Sequence, residues 1–593
     1  MRETTFRATS DRPDGRDRSR FGAALVLAVL LFPSAAAAGE EPADLVLTGG
    51  TIVTMDDSHP QAEALAIRGD RIVAVGDDAE VKRWIGDGTQ VIDLAGKLAV
   101  PGFIDSHAHF VSLGRSKMIL DLSKARTWDE IVGLVEGAAH STPPGRWIVG
   151  RGWHQAKWRP PPSPSVQGYP THEKLSQAVP DHPVMLAHGS GHMCLANAKA
   201  MELAGVDKNT ESPQGGEILR DEAGNPTGVF REESMGLIHR AQKRGEARRT
   251  AQHEADELDE AIRLATEECL SQGVTTFCDA GSSLATIDHL RKLALQGRLK
   301  VRLWVMIGES NDVLAERLPE YRIVGEGNHH LTVRAVKRFI DGALGTHGAW
   351  LLEPYDDLPE SVGLNTTPVD AIRRTAQLAI RHGFQLCVHA IGDRANRETL
   401  NVFQDVFQEH PQAKNLRWRI EHTQHLHPAE IPRLGKLGVT AAMQGCHATS
   451  DGPFVVKRLG TERAQVGAYA WRSLLDSRAV VANGTDAPVE NLSPIECFYA
   501  SVTRKLADGT AFFPEQRMTR HEALRSYTLD AAYAAFEEDL KGSLTPGKLA
   551  DVVVLSKDVL TVPAEEILGA EVLYTIVGGR VLYRKEPSVA GDP

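Results

Sequence analysis

The chain has 593 residues, 42% hydrophobic and 24% charged, with 53 Gly and 31 Pro dispersed along it and only 6 Cys. That length fits roughly three or four domain-sized units, or one large α/β barrel with attachments. The composition excludes a disordered, collagen-like or disulfide-stapled chain, and a net charge of −12 argues against a nucleic-acid binder.

The first 20 residues carry six Arg against four acids, and Phe21–Phe32 is an apolar run of twelve. Ser34-Ala35-Ala36-Ala37-Ala38-Gly39 follows, so the segment matches a secretory signal with cleavage near Ala38. The run is short for a membrane-spanning helix, which needs ~20 residues. The expectation is an exported protein, periplasmic or secreted, with no stable membrane anchor once residues 1–38 are removed. Export permits disulfides. The six Cys, however, are scattered in apolar runs and read as buried free thiols.

Residues 44–99 alternate apolar positions between Gly and Asp turns, as antiparallel hairpins do. Residues 540–586 repeat the style in ADVVVLSKD and VLYTIVGGRVLY. The two ends are expected to form one composite β-sandwich domain. Between them, eight apolar segments alternate with helical stretches such as Asp259–Gln272 and Pro368–His382. They are LAVPGFIDSHAH, VTTFCDAG, VRLWVMIG, VRAVKRFIDG, FQLCVHAIG, RWRIEHTQ, VTAAMQ and VVANGTDAP. This pattern predicts an α/β fold, a (β/α)8 TIM barrel over 100–539. The gap from His109 to Val274 is too long for a loop. Residues 111–260 are therefore read as a large insertion after strand 1, lying over the barrel mouth.

His107 and His109 end the first strand-like run, and i and i+2 on a strand share a face. The 23 His of the chain make metal chemistry worth seeking, since imidazole is the commonest ligand. Later runs end in Lys337, His389, His422 and Asp486. The C-terminal ends of barrel strands converge on one mouth, so these groups can meet. A buried Lys or Asp without a partner is costly, which disfavours an ordinary core role.

With PGFIDSHAH, GWHQAKW, GHMCLANA, VKRFIDGALG, VHAIGDRA, IEHTQ, NGTDAPV and GSLTPGKLADVVVL in this order, the chain resembles the metal-dependent amidohydrolase superfamily. The resemblance is to its amidohydrolase-3 (YtcJ-like) branch, which includes N-substituted formamide deformylase. It implies two divalent metal ions, usually Zn2+, in the barrel mouth. His107, His109 and Asp486 would hold one and His389 and His422 the other, with a carbamate on Lys337 between them. An ion-paired Lys337 in a single-metal enzyme is the competing reading. The metals would bring a bridging water near neutral pKa, with Asp486 as its proton acceptor and the catalytic residue.

His192, in GHMCLANA, is expected to face the substrate, as are Trp153, Asp341 and His347; His154 and Trp158 are further wall candidates. His188 reads as structural, and His425, His427 and His447 as loop or supporting residues. The implied activity is hydrolysis of an amide, N-acyl or N-formyl C–N bond in a small molecule. A cyclic amide, imide, carbamate or ester remains open on the same site, and a non-catalytic scaffold is the contrasting class. A homodimer is an expectation the resemblance brings.

Overall fold

The computed structural model describes residues 41–245 and 250–586. The signal-like segment 1–38 lies outside them. Eight strands run parallel in chain order: β1 (Phe103–Ala108), β2 (Val274–Ser282), β3 (Arg302–Ile307), β4 (Leu331–Phe339), β5 (Gln385–Ala390), β6 (Arg419–His422), β7 (Thr440–Gln444) and β8 (Val481–Gly484). Each pairs with the next in sequence. Their residues are almost all buried, which is why they read as continuous apolar runs.

The sheet is nearly closed. At the seam between β8 and β1, Asp105 accepts from the Thr485 backbone (3.0 Å) and hydroxyl (2.6 Å). The Asp486 amide donates to the His107 carbonyl at 2.8 Å. Gly484 makes this approach possible, since a Cβ there would stand 2.5 Å from the His107 nitrogen.

The segment LAVPGFIDSHAH, expected as one strand, is two. Leu98–Pro101 belongs to another sheet, and Phe103–Ala108 enters the barrel. Gly102 is the crossing point, where a side chain would collide with Thr275 at 2.2–2.8 Å.

Residues from both chain ends build two sheets. One has four strands, Arg71–Gly76, Ala64–Arg68, Leu45–Thr48 and Gln90–Asp93. In the other, of six strands, Val552–Leu555 lies antiparallel to Leu98–Pro101. Leu47, Ile52, Ile67, Val552 and Ile576 share one core between them. The hairpin expectation for 44–99 holds for Ala64–Arg68 with Arg71–Gly76 and for Thr51–Val53 with Gln61–Ala62, both antiparallel, and needs correction elsewhere. Leu45–Thr48 runs parallel to Gln90–Asp93, and Thr51–Val53 parallel to Leu98–Pro101. Consecutive strands separate at Gly49-Gly50 into different sheets, so later strands run alongside each.

Arg302, at the start of β3, donates to both oxygens of Asp551 (2.8 and 3.0 Å), joining the barrel to the end sheet. Both side chains are buried. Burial would raise the Asp551 pKa, but Arg302 outweighs it and holds the carboxyl below its ordinary 3.8. This stabilisation is complete above that value and is lost as pH falls through the lower folded value. Asp551→Ala leaves Arg302 buried and uncompensated, and is expected to cost about 3–5 kcal/mol in denaturant unfolding. A loss below about 1 kcal/mol, the level of an exposed pair, would show that the pair is not holding the two units together.

Between β1 and β2, residues 120–232 contribute a separate six-stranded sheet that includes Ile148–Trp153, Val184–His188 and Met193–Ala196. Trp128, Trp153, Trp158 and Leu186 are in its core. Of the six cysteines, Cys194, Cys269, Cys278 and Cys387 are buried free thiols as expected. Cys446 and Cys497 instead form a disulfide. Helices Gly445–Leu459 and Pro494–Thr503 bring their Cα atoms to 4.7 Å, within bonding range.

Candidate metal centre

The ends of β1, β6 and β8 deliver His107, His109, His422 and Asp486 to one place. His109 Nε2 lies 3.2 Å and His107 Nε2 3.6 Å from Asp486 Oδ1. The rings of His107 and His422 are 4.7 Å apart, and those of His422 and His389 4.6 Å. Asp486 and His422 have φ of +59° and +73°. Such backbone costs roughly 1–3 kcal/mol per residue and persists where its surroundings enforce it. Here it turns both side chains into the mouth.

Two ligand-like groups share Asp486: His107, His109 and Asp486, and His422, His447 and Asp486. His447, expected in a supporting role, comes 3.6 Å from Asp486 Oδ2. It lies in the first turn of the helix after β7, so its approach depends on the path of that loop.

Further partners come from residues that almost no local sequence pattern marks. Glu421 accepts a hydrogen bond from His107 Nδ1–H and is itself held by Arg419 at 2.8 and 2.9 Å. Carboxylate accepts only, so His107 keeps an Nε2 lone pair for a cation. Gln444 Oε1 does the same for His422, 2.8 Å from its Nδ1. The one available signal was the Arg419-x-Glu421 alternation, two charges on one face of a buried strand.

The residues fit a divalent metal. His107 Nε2, His389 Nε2, His447 Nε2, Lys337 Nζ and Asp486 Oδ1 are buried with no aligned hydrogen-bond partner among the described residues. Burial holds His107 down to about 4, and His389 and His422 well below the ordinary imidazole value. Burial acts the opposite way on Asp486. Contact with His109 and the nearby rings of His107 and His422 outweighs it, so the carboxylate stays ionised. Neutral imidazoles around a carboxylate are the donor set that Zn2+ prefers. Lys337 is 2% exposed, its Nζ sits 4.4 Å from the centre of the Phe339 ring, and burial lowers its pKa.

A cavity of about 630 Å3 opens onto Asp486, His422 and His447, and the inserted sheet supplies part of its wall. His192, His154 and Trp158 line it. His192 is paired with Glu232 at 2.8 Å; burial lowers its pKa, but that carboxylate outweighs it and raises the value.

Of the expected substrate contacts, Trp153, Asp341 and His347 do not line the cavity, although Asp341 Oδ1 comes 3.5 Å from His389 Nε2. Trp153 is wholly buried in the core of the inserted sheet, its Nε1 donating to the Leu186 carbonyl. Its place on an alternating strand turned it inward, while Trp158 reaches the cavity. Asp341 is buried beneath the site and accepts from the amides of Trp350, Ile391 and Gly392 at 2.7–3.0 Å. Those three bonds fasten the loops after β4 and β5. His347 is held by Asp357 at 3.2 Å and packs on Tyr355, away from the cavity. His188 is structural, bridging Ser190 and Gln155.

A sequence model of the amidohydrolase family matches residues 90–583. The chain belongs to that family. Protein LONG AFTER FAR-RED 3 of Arabidopsis thaliana is 36% identical over 554 residues, covering 91% of this chain and 92% of that protein. N-substituted formamide deformylase of Arthrobacter pascens is 28% identical, covering 92% and 99%. The crystal structure of a metal-dependent hydrolase from Pyrococcus horikoshii is 27% identical with a TM-score of 0.69, covering 88% of this amidohydrolase and 99% of that chain. Family and fold together make the chain a metal-dependent hydrolase.

Proposed function

We propose that this amidohydrolase cleaves an amide, N-acyl or N-formyl C–N bond of a small organic molecule. The observation that carries this is Asp486, whose carboxylate, against the effect of burial, is held well below its ordinary pKa by contact with His109 and by His107 and His422, and which lines a small-molecule-sized cavity. The formamide deformylase relative supports the choice of bond.

His107, His109 and Asp486 would hold one divalent ion, most simply Zn2+; His389, its ring 4.6 Å from that of His422, would join His422 at a second, and His447 groups with His422 and the shared carboxylate. Bound metal supplies a water of near-neutral pKa and polarisation of the scissile carbonyl. Lys337, as a neutral amine, would add carbon dioxide at Nζ with loss of one proton and present an anionic carbamate to the metals. Asp486 accepts the proton of the attacking water and returns it to the departing amine. Glu421 and Gln444 keep the His107 and His422 rings oriented. The inserted sheet closes over part of the mouth and limits substrate size. The signal-like N-terminus supports a periplasmic or secreted location.

The test is metal analysis with a panel of N-acyl and N-formyl compounds, using protein supplied with zinc and bicarbonate. About two divalent ions per chain and turnover of panel members are expected. Protein that stays metal-free would return the scaffold reading, and turnover confined to esters would overturn the C–N assignment.

A further inference from the structure

Arg151 is the one cation the inserted strand Ile148–Trp153 carries into the cavity. Its Nε donates to the Pro488 carbonyl at 3.2 Å and one terminal nitrogen to the Gly189 carbonyl at 3.3 Å. Both acceptors are neutral. A guanidinium has five N–H donors, so three remain in its planar fork. Among the described residues, no carboxylate reaches it within ion-pair distance. Pro488 is two residues past Asp486, so the guanidinium is fastened to the loop that delivers the candidate proton acceptor. Burial lowers the Arg151 pKa and the Asp486 charge opposes that, which places the two in one electrostatic environment.

Other cations surround this point. Lys117 is neutralised by Glu268 at 3.2 Å. Lys124, Arg126 and Lys157 line the cavity as exposed residues with no carboxylate in ion-pair range among the described residues. Asp121, Glu268, Asp451, Asp486 and Glu490 line the same cavity, so the entrance carries both signs, and Arg151 is set apart by its unpaired fork rather than by a positive field. A sheltered cation without a counter-ion is costly to retain and is satisfied when an anion arrives. Two N–H groups of a planar fork match a carboxylate bidentately, and a Lys cannot reproduce that geometry.

We infer that Arg151 binds a carboxylate on the substrate, so that the amide cleaved belongs to an N-acylated amino acid or a related N-acyl acid. The inference rests on the hydrolase reading above and narrows its substrate class. The acyl group would face Asp486, and the acid group would be held by the inserted sheet.

The experiment is calorimetric titration of zinc-loaded protein with N-acetylglycine, N-acetylleucine and N-acetylphenylalanine in both enantiomeric series, each beside its carboxamide. Turnover is recorded on the same samples. The wild type is expected to prefer at least one acid over its carboxamide by about tenfold or more, the scale of a charge-assisted bidentate contact. In Arg151→Gln that ratio should fall to near one, and in Arg151→Lys to an intermediate value. The Lys variant keeps the test alive if the Gln variant does not fold. An Arg151 that merely pins the Pro488 and Gly189 carbonyls would weaken acid and amide together and leave the ratio intact, overturning the proposal. A preference that survives in Arg151→Gln would assign the carboxylate to the metals, with the same consequence. Preference without any turnover would support the subsite and remove the C–N hydrolase reading; turnover without preference would do the reverse.

Discussion

Asp486→Asn should lower the catalytic rate by about 10²–10⁴, the range for loss of a general acid–base group, while much of the metal stays bound. Asn keeps the size of the side chain and one oxygen ligand. It cannot accept the proton of the attacking water. The carboxylate is 5% exposed and lies 3.2–3.6 Å from His109, His107 and His447. It is the one carboxylate common to both ligand-like groups. Its backbone, at φ +59°, suits Asn better than most residues, so folding should be preserved. Kinetics on the metal-loaded variant decides the matter. A rate within a few-fold of wild type would make Asp486 a turn residue and move the proton acceptor elsewhere.

Lys337→Met should empty both metal positions together and abolish turnover. The substitution keeps the four-atom stem with sulfur in place of Cδ and removes the amine, so the Cβ and Cγ atoms beside Gly281 stay while the Nζ contact with Phe339 is lost. The amine is buried without a hydrogen-bond partner among the described residues, a condition that costs about 1–3 kcal/mol. The metal-free variant should therefore be at least as stable as the metal-free wild type, which separates loss of a ligand from loss of fold. Metal content by mass spectrometry and thermal unfolding with and without zinc read both effects. Full metal loading with near-normal activity would end the bridging role. The single-metal arrangement, with Lys337 as a bystander, would then stand.

The eight barrel segments were legible because a parallel strand covered on both faces must be apolar along its length. Its polar residues gather where it ends, at the mouth. His107, His109, His389, His422 and Asp486 stand out for that reason, each at or just beyond a run such as FQLCVHA or VVANG. Glu421 did not stand out, since it differs from any buried acid only by what lies opposite, a histidine 314 residues earlier. His447 was equally hidden. Nothing local distinguishes a histidine in a first helical turn from one that the turn aims at Asp486.

The amino-acid sequence by itself determined the strand and helix segments, the barrel class and most of the candidate ligand set, because burial on both faces and strand-end chemistry leave a mark in every segment. The tertiary structure alone decided which Trp of GWHQAKW reaches the cavity, that Asp341 fastens loops beneath the site, and that Cys446 meets Cys497. It also placed Arg151 against the Pro488 carbonyl, with no carboxylate in ion-pair range among the described residues. Each of these depends on how elements far apart in the chain close upon one another. Barrel closure and the packing of the inserted sheet set those distances, and no periodicity within a segment encodes them.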